Sequence, residues 1–410
     1  LFNVKKFGLL GEKLGHSFSP EIHRMLGEYS YELREVCASG MDSFMKNNDL
    51  DGFNITIPYK QTVVRHCTTV SETAMRTGNV NTMIKKADST YSGYNTDYDG
   101  FMLTMKTSGI DFSGKKALIL GSGGASRTVA AVLKKLKMGP VITISRKGPA
   151  DYSAVALHRD ASLIVNTTPV GMFPDNGKAV LDLDIFSKCE FVADLIYNPA
   201  RTKILLQAEK LGIKNSNGLL MLVEQARRAS EIFTGIQLRQ EVSFNIKEAI
   251  EKNTKNIILI GMPGCGKTTV GKLLAERTKR CFMNTDENIE NRTGQSIQDL
   301  FSDHGEGYFR RLETETLANL CRQSGLIIAA GGGAVTTETN KDLLRQNGTV
   351  VFLMRNLEDL PVEGRPLSIE KGVKRIYKER LSLYMEWSDL RIENNEPLAA
   401  ANEIKKALCL

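Results

Sequence analysis

The chain has 410 residues, 41% of them hydrophobic and 25% charged, with a formal net charge of +7. That length suffices for two or three domains, each with its own core, and no apolar run approaches the length needed to span a bilayer. The basic residues are neither bunched nor interleaved with aromatics, which argues against nucleic acid as a partner and suits small anionic substrates.

The opening stretch LFNVKKFGLLG is too short an apolar run for a signal peptide; it begins at Leu1 where a Met would be expected, so residues are expected to be missing there. Seven scattered cysteines without a C-x-x-C pair read as reduced thiols, which predicts a cytoplasmic protein. Five histidines at no zinc-site spacing predict no structural metal. The sequence leaves room for an oligomer.

Residues 1–105 mix short apolar strands with helical stretches. LGHSFSPEIH sets Ser17 and Ser19 beside a helix start marked by Pro20. GFNITIPYK puts Asn54, Thr56 and Lys60 on a strand end and the turn after it; GNVNTM adds Asn81, and GYNTDYDGF adds Asn95 and Asp97. A single lysine on a turn is an ordinary surface residue. A lysine, an aspartate and several small polar groups, all at strand-to-turn junctions, make a site for a polyhydroxy acid.

Residues 106–218 read as a dinucleotide-binding domain of the Rossmann type. KKALILGSGGASRTVAAVLKKL is strand, glycine turn and helix, and PVITISRKG is the next strand. Glycines in GSGGAS let the backbone turn sharply and approach a pyrophosphate at the helix start. The second strand ends in Ser145, Arg146 and Lys147, where an NAD site offers an acidic residue; the basic pair favours the extra phosphate of NADP. ASLIVNTT and EFVADLIYN supply further strands. The helix LLMLVEQARRASEIFTG, within about 219–240, ends at Gly235 and returns to the first block. Residues 241–254 are expected to be a final helix or a linker.

From residue 255 a second α/β unit begins. LIGMPGCGKTTVG fits the phosphate-loop pattern G-x-x-x-x-G-K-[ST] in full, with Gly261, Gly266, Lys267 and Thr268 at the required spacing. Gly264, Gly266, Lys267, Thr268 and Thr269 are therefore expected to hold ATP, with Lys267 on the β- and γ-phosphates and Thr268 on Mg²⁺. SGLIIAAGGGAV and GTVVFLM suggest a separate parallel sheet. The loop pattern alone names no substrate.

Residues 1 to about 240 resemble shikimate dehydrogenase: the paired serines, N-x-T-x-P-x-K, N-T-D, the glycine turn, NTTPVGM, DLIYNP and NGLLMLVEQA stand in that family's order. The resemblance implies a substrate domain followed by a Rossmann NADP domain. It places Ser17 and Ser19 on the substrate carboxylate, Thr56, Asn81 and Gln225 on its ring hydroxyls or carboxylate, and Lys60 with Asp97 as the catalytic pair. Gly121, Gly123, Gly124 and Ala125 would meet the pyrophosphate, with Arg146 on the 2′-phosphate and Ser145 beside it. Tyr197, Gly218 and Met221 would lie near the nicotinamide or substrate. Lys60 can protonate the alkoxide that forms when hydride reaches a ring ketone, and Asp97 can orient that group.

Residues 255–410 resemble shikimate kinase in FMNTDENIE, GEGYFRRLE, AAGGGAV and EGRPL. This implies a P-loop α/β/α kinase domain in which Asp286 binds the substrate hydroxyls and takes a proton. Arg310 and Arg380 would clamp the carboxylate, and Glu313 would orient Arg310. Gly331, Gly332 and Gly333 would bring backbone N–H groups to the ring, and Arg365 would close over the transferred phosphoryl group on a lid. Two departures stand out. Asn284 replaces the first aspartate of the family's D-T-D, which puts Mg²⁺ affinity in doubt. RNLEDLPVEGRPL is shorter than the family's lid; either the lid is truncated or residues are missing from the sequence, and the retained Arg365 favours the second.

Together the halves imply NADPH-dependent reduction of 3-dehydroshikimate to shikimate, then phosphorylation of shikimate by ATP. Three rival readings are a shikimate- or quinate-sensing protein with an impaired kinase half, a dehydrogenase widened to quinate or NAD, and a generic phosphate-loop kinase for another polyol acid, which the paired Arg310 and Arg380 weaken. Retention of Lys60, Asp97, Lys267 and Arg365 argues against the sensor.

Overall fold

Short runs of buried apolar residues build three sheets. The computed structural model describes residues 4–15, 17–146, 148, 150–360 and 372–410. The chain divides into two units, Leu1–Ile250 and Glu251–Leu410.

In the first unit β1 (Lys6–Gly11), β2 (Ser30–Glu35), β3 (Gly52–Ile55), β4 (Thr69–Val70), β5 (Thr82–Lys85) and β6 (Tyr91–Tyr94) form a mixed sheet in the order β2-β1-β3-β5-β6-β4. β5 runs antiparallel to both β3 and β6, with Asn54 opposite Thr82 and Thr82 opposite Tyr94. The register has a direct consequence: the chain after β3, before β5 and after β6 leaves the sheet at one edge. Lys60, Asn81 and Asp97 come from those three places.

The second sheet is wholly parallel: β7 (Ala117–Leu120), β8 (Val141–Ile144), β9 (Leu163–Asn166), β10 (Phe191–Asp194) and β11 (Lys214–Ser216), ordered β11-β10-β9-β7-β8. β7, sequence ALIL, is buried at every position, as a parallel strand covered on both faces must be. The helix Leu219–Thr234 then packs along the helix Asp97–Thr107, close enough that Gly100 lies against the Met221 carbonyl. The helix Glu241–Thr254 follows. Its Ile246 and Ile250 bury against Ile22, Leu26, Leu219 and Val223, so the segment up to Ile250 belongs to the first unit.

The second unit has one parallel sheet of β12 (Asn256–Ile260), β13 (Phe282–Asn284), β14 (Ile327–Ala329), β15 (Gly348–Met354) and β16 (Leu390–Glu393), ordered β13-β14-β12-β15-β16. Ile257, Ile258, Leu259 and Ile260 are all buried, and each contributes about 1.5–3 kcal/mol by leaving water. All five strands end at the same edge, which is where ligands bind in open parallel sheets. No helix among the described residues is long and apolar enough to cross a membrane.

Candidate functional sites

At the edge of the mixed sheet Lys60 Nζ donates to Asp97 Oδ2 at 2.7 Å. Asp97 is buried at the start of its helix, and Lys60 is half-buried. Asn81 fixes this pair. Its Nδ2 donates to Asp97 Oδ1 (3.0 Å) and Gln225 Oε1 (3.3 Å), while its Oδ1 accepts the Thr96 N–H (2.7 Å). With its amide committed on both sides, Asn81 cannot turn without leaving buried groups unpaired. The structure thus brings Lys60, Asn81, Asp97 and Gln225 together from four distant segments. Thr56 follows β3 on the same edge, its N–H on the Leu10 carbonyl and its own carbonyl closing the turn to Tyr59.

Ser17 and Ser19 form a second group. The Ser19 N–H donates to Ser17 Oγ at 3.2 Å. Phe18 packs on the Tyr197 ring with centroids 5.2 Å apart. Burial raises the Tyr197 phenol pKa, opposed by its hydrogen bond with Ser17. The Ser19 helix packs on the helix that carries Gln225, through Ile22 and Val223. Gly218 and Met221 open that helix. Gly218 is glycine for steric cause: a Cβ there would collide with the Leu195 carbonyl.

The glycine turn joins β7 to the helix Gly124–Lys135, with Gly121 at φ +107°. A Cβ on Gly123 would touch nothing, so its backbone faces open space, and Ala125 stands in the first helical turn. Ser145 lies buried at the end of β8, its Oγ without a hydrogen-bond partner among the described residues, and Arg146 is exposed after it.

In the second unit a cleft of about 640 Å³ opens at the sheet edge. The phosphate loop forms one wall. Gly264 and Gly266 adopt φ of +84° and +95°, and Lys267 Nζ donates to the carbonyls of Gly261 (2.9 Å) and Met262 (3.0 Å). Thr268 and Thr269 follow in the first helical turn. Asp286, Arg310, Glu313, Gly331–Gly333 and Arg380 line the same cleft.

The glycine run is dictated by its neighbours. A Cβ at Gly331 would meet Glu313 Oε1 and Asp286 Oδ1, one at Gly332 the Pro263 ring, and one at Gly333 the Arg310 guanidinium. Arg310 is held by Glu313 at 2.7 Å and Glu306 at 3.0 Å. Arg380, buried, donates to the Gly332 carbonyl at 3.0 Å. Burial raises the Asp286 pKa, with Lys267 the largest opposing charge. Burial likewise raises that of Glu313 against the Arg310 charge.

The donor set suits Mg²⁺. A hard cation takes oxygen ligands, and Mg²⁺ in nucleotide sites keeps several waters and draws on phosphate and one or two carboxylates. Thr268 and Asp286 line the cleft, and Glu287 lies on the far side of the Asn284 amide that bonds to Thr268. Arg365 and the rest of EGRPL lie outside the described residues.

Sequence reasoning missed three residues. Arg355 follows β15 and lines the cleft; its place after an apolar strand was the available signal. Asn394, after β16, is buried and donates to the Cys265 carbonyl at 2.6 Å, bracing the phosphate loop. Glu306 is the second carboxylate on Arg310.

Comparison with known proteins agrees with both halves. Residues 9–83 match the family model for the shikimate dehydrogenase substrate binding domain, and residues 263–409 that for shikimate kinase. A shikimate dehydrogenase (NADP(+)) of Clostridium perfringens (strain SM101 / Type A) is 34% identical over 270 residues, spanning 60% of this chain and 99% of the relative. Among solved structures, a chorismate mutase/shikimate 5-dehydrogenase fusion protein from Clostridium acetobutylicum is 33% identical with a TM-score of 0.58, covering 61% of this chain and 98% of that one. Shikimate 5-dehydrogenase from Thermus thermophilus, in complex with NADP(H) and shikimate, is 30% identical with a TM-score of 0.55, covering 60% of this chain and 99% of that one.

Proposed function

Because the chain belongs to the shikimate dehydrogenase family and carries a shikimate kinase domain behind that part, we propose that it catalyses two consecutive reactions. The first unit reduces 3-dehydroshikimate to shikimate with NADPH; the second phosphorylates the same 3-hydroxyl with ATP. The observation that carries the reading is that each phosphate-binding turn has an acid–base set in its own unit: Lys60–Asp97 in the first, Asp286 with Arg310 and Arg380 in the second.

In the first reaction NADPH, when bound, would supply the hydride that goes to the ketone carbon. Lys60 gives a proton to the oxygen as it gains charge, and Asp97 holds both Lys60 and the substrate hydroxyl in line. Ser17, Ser19, Thr56, Asn81 and Gln225 bind the carboxylate and ring hydroxyls, with Tyr197, Gly218 and Met221 near the nicotinamide or substrate. Arg146 takes the 2′-phosphate, which selects NADP over NAD.

In the second reaction the hydroxyl oxygen attacks the γ-phosphorus, the bond to the β–γ bridging oxygen breaks, and ADP leaves. The proton passes to Asp286, whose raised pKa suits a base that must hold it. Lys267 spreads the charge growing on the phosphoryl oxygens. Arg310 and Arg380 bind the shikimate carboxylate, backbone N–H groups around Gly332 bind the ring, and Arg365 completes the charge set.

The test is a pair of assays on the purified chain. One follows NADPH oxidation with 3-dehydroshikimate, with NADH as control. The other follows ADP formed from shikimate, ATP and Mg²⁺. Turnover in both supports the reading. Shikimate binding without turnover in either would overturn it.

A further inference from the structure

The Mg²⁺ that accompanies ATP in phosphate-loop enzymes is held by the loop hydroxyl together with a nearby carboxylate. Here the side chain that meets the loop hydroxyl is Asn284, at the end of β13 and one strand removed from β12, and its geometry decides what it can do. Its Oδ1 accepts the Asp286 N–H at 2.9 Å, which only an oxygen can do, so the amide orientation is fixed. The amide nitrogen is then the atom that faces Thr268, donating to Thr268 Oγ1 at 3.2 Å. An NH₂ group carries no charge and coordinates no cation. The same nitrogen also donates to Glu287 Oε1 at 3.2 Å. Thus Glu287 and the metal-binding hydroxyl share one amide nitrogen.

The other acidic residues nearby are otherwise committed. Asp286 Oδ1 faces Gly331, on the substrate side of the cleft. Glu290 Oε1 accepts the Ile297 N–H at 3.0 Å and caps the next helix. From this we infer that Glu287 supplies the negative charge for the Mg²⁺ site, acting through water beside Thr268 in place of a carboxylate at position 284. The inference rests on the kinase reading above.

A purely structural role also exists for this residue. Asn284 is the N-cap of the helix Thr285–Thr293, and Glu287 is three residues on, the spacing of a capping box. Glutamine serves that role as well as glutamate, so Glu287→Gln separates the two: it keeps the cap and removes the charge.

The experiment titrates Mn²⁺ into the full chain with ADP and reads free Mn²⁺ by electron paramagnetic resonance. It compares the unsubstituted chain, Glu287→Gln, Asn284→Asp and the double variant. A unit charge about 6 Å from a divalent ion in water-like surroundings shifts affinity by about tenfold. Glu287→Gln should therefore weaken Mn²⁺ binding in the ADP complex by about tenfold, with metal-free ADP binding and thermal melting unchanged. Asn284→Asp should tighten Mn²⁺, and in its background Glu287→Gln should have a clearly smaller effect.

Unchanged Mn²⁺ affinity in Glu287→Gln overturns the inference, as does loss of ADP binding with and without metal alongside earlier melting, which marks a cap alone. If the unsubstituted chain itself binds ADP no better with Mn²⁺ than without, the kinase reading falls first and takes this one with it.

Discussion

Gly333 offers a substitution whose effect is set by a single contact. Its backbone, at φ −100° and ψ −1°, suits any residue, so Gly333→Ala brings no backbone strain and trims unfolded-state freedom. A methyl group there meets the Arg310 guanidinium, with Nη1, Nη2 and Cζ all inside contact distance. Ordinary contact then requires the guanidinium to retreat by about 1 Å. Glu313 and Glu306 hold the guanidinium by ion pairs, so a retreat strains those pairs and takes its fork out of the line of the substrate carboxylate. A hydrogen bond to a charged group contributes about 1.5–3 kcal/mol, or about 10–150-fold in affinity. Kinase kinetics with shikimate and ATP varied separately test this. The KM for shikimate should rise within that range while the KM for ATP stays within about twofold, since the phosphate loop is untouched. An unchanged shikimate KM, or both constants rising together, would refute the assignment of Arg310 as a carboxylate clamp.

Lys60→Met should cut the dehydrogenase kcat by about 10²–10⁴ and leave ADP formation alone; Lys267→Met should do the reverse, and loss of both activities from either change would argue against independent sites. Burial pushes the Asp194 carboxyl up to about 6, against hydrogen bonds from Thr202, the Ile196 N–H and Asn166. Its folded pKa exceeds the ordinary carboxyl value of 3.8, so its contribution to stability is present at low pH and lost as pH rises through about 6. Relative to the unsubstituted chain, Asp194→Asn should therefore be more stable at pH 7 than at pH 4.5, by on the order of 2 kcal/mol in urea unfolding; an equal difference at both pH values would contradict this. Gly218→Ala should destabilise the first unit by about 1–3 kcal/mol, because the new methyl meets the Leu195 carbonyl; a thermal melt no lower than that of the unsubstituted chain would count against the close approach.

The parallel sheets were legible because their strands carry one signal. ALIL, LIVN and NIILI are continuous apolar runs that precede or follow glycine turns. The mixed sheet was not. β2, sequence SYELRE, is an edge strand whose positions are all exposed or half-buried, and β4 has two residues. Neither has a face whose burial would mark it in sequence. Of the candidate residues, those within compact motifs could be numbered beforehand, but their meeting could not. Asn81 reaches Gln225 across 144 positions, and Phe18 packs on Tyr197, which lies in the loop after β10. Arg355 and Asn394 escaped because each is an ordinary polar residue among others after a strand, and only the common edge of five parallel strands gives them significance.

The helix Glu241–Thr254 bears on how such a chain could be divided. Ile246 and Ile250 lie in the first unit's core, and Lys255 alone separates the helix from β12. Proteases prefer exposed, pliable loop tips, and this junction offers none. Cleavage there must first melt a helix that the dehydrogenase part needs for its own packing. A gene split meant to yield two working enzymes should therefore leave the whole helix with the first product and begin the second at the strand. A cut placed before the helix would strip two core isoleucines from a protein that still has every one of its proposed catalytic residues.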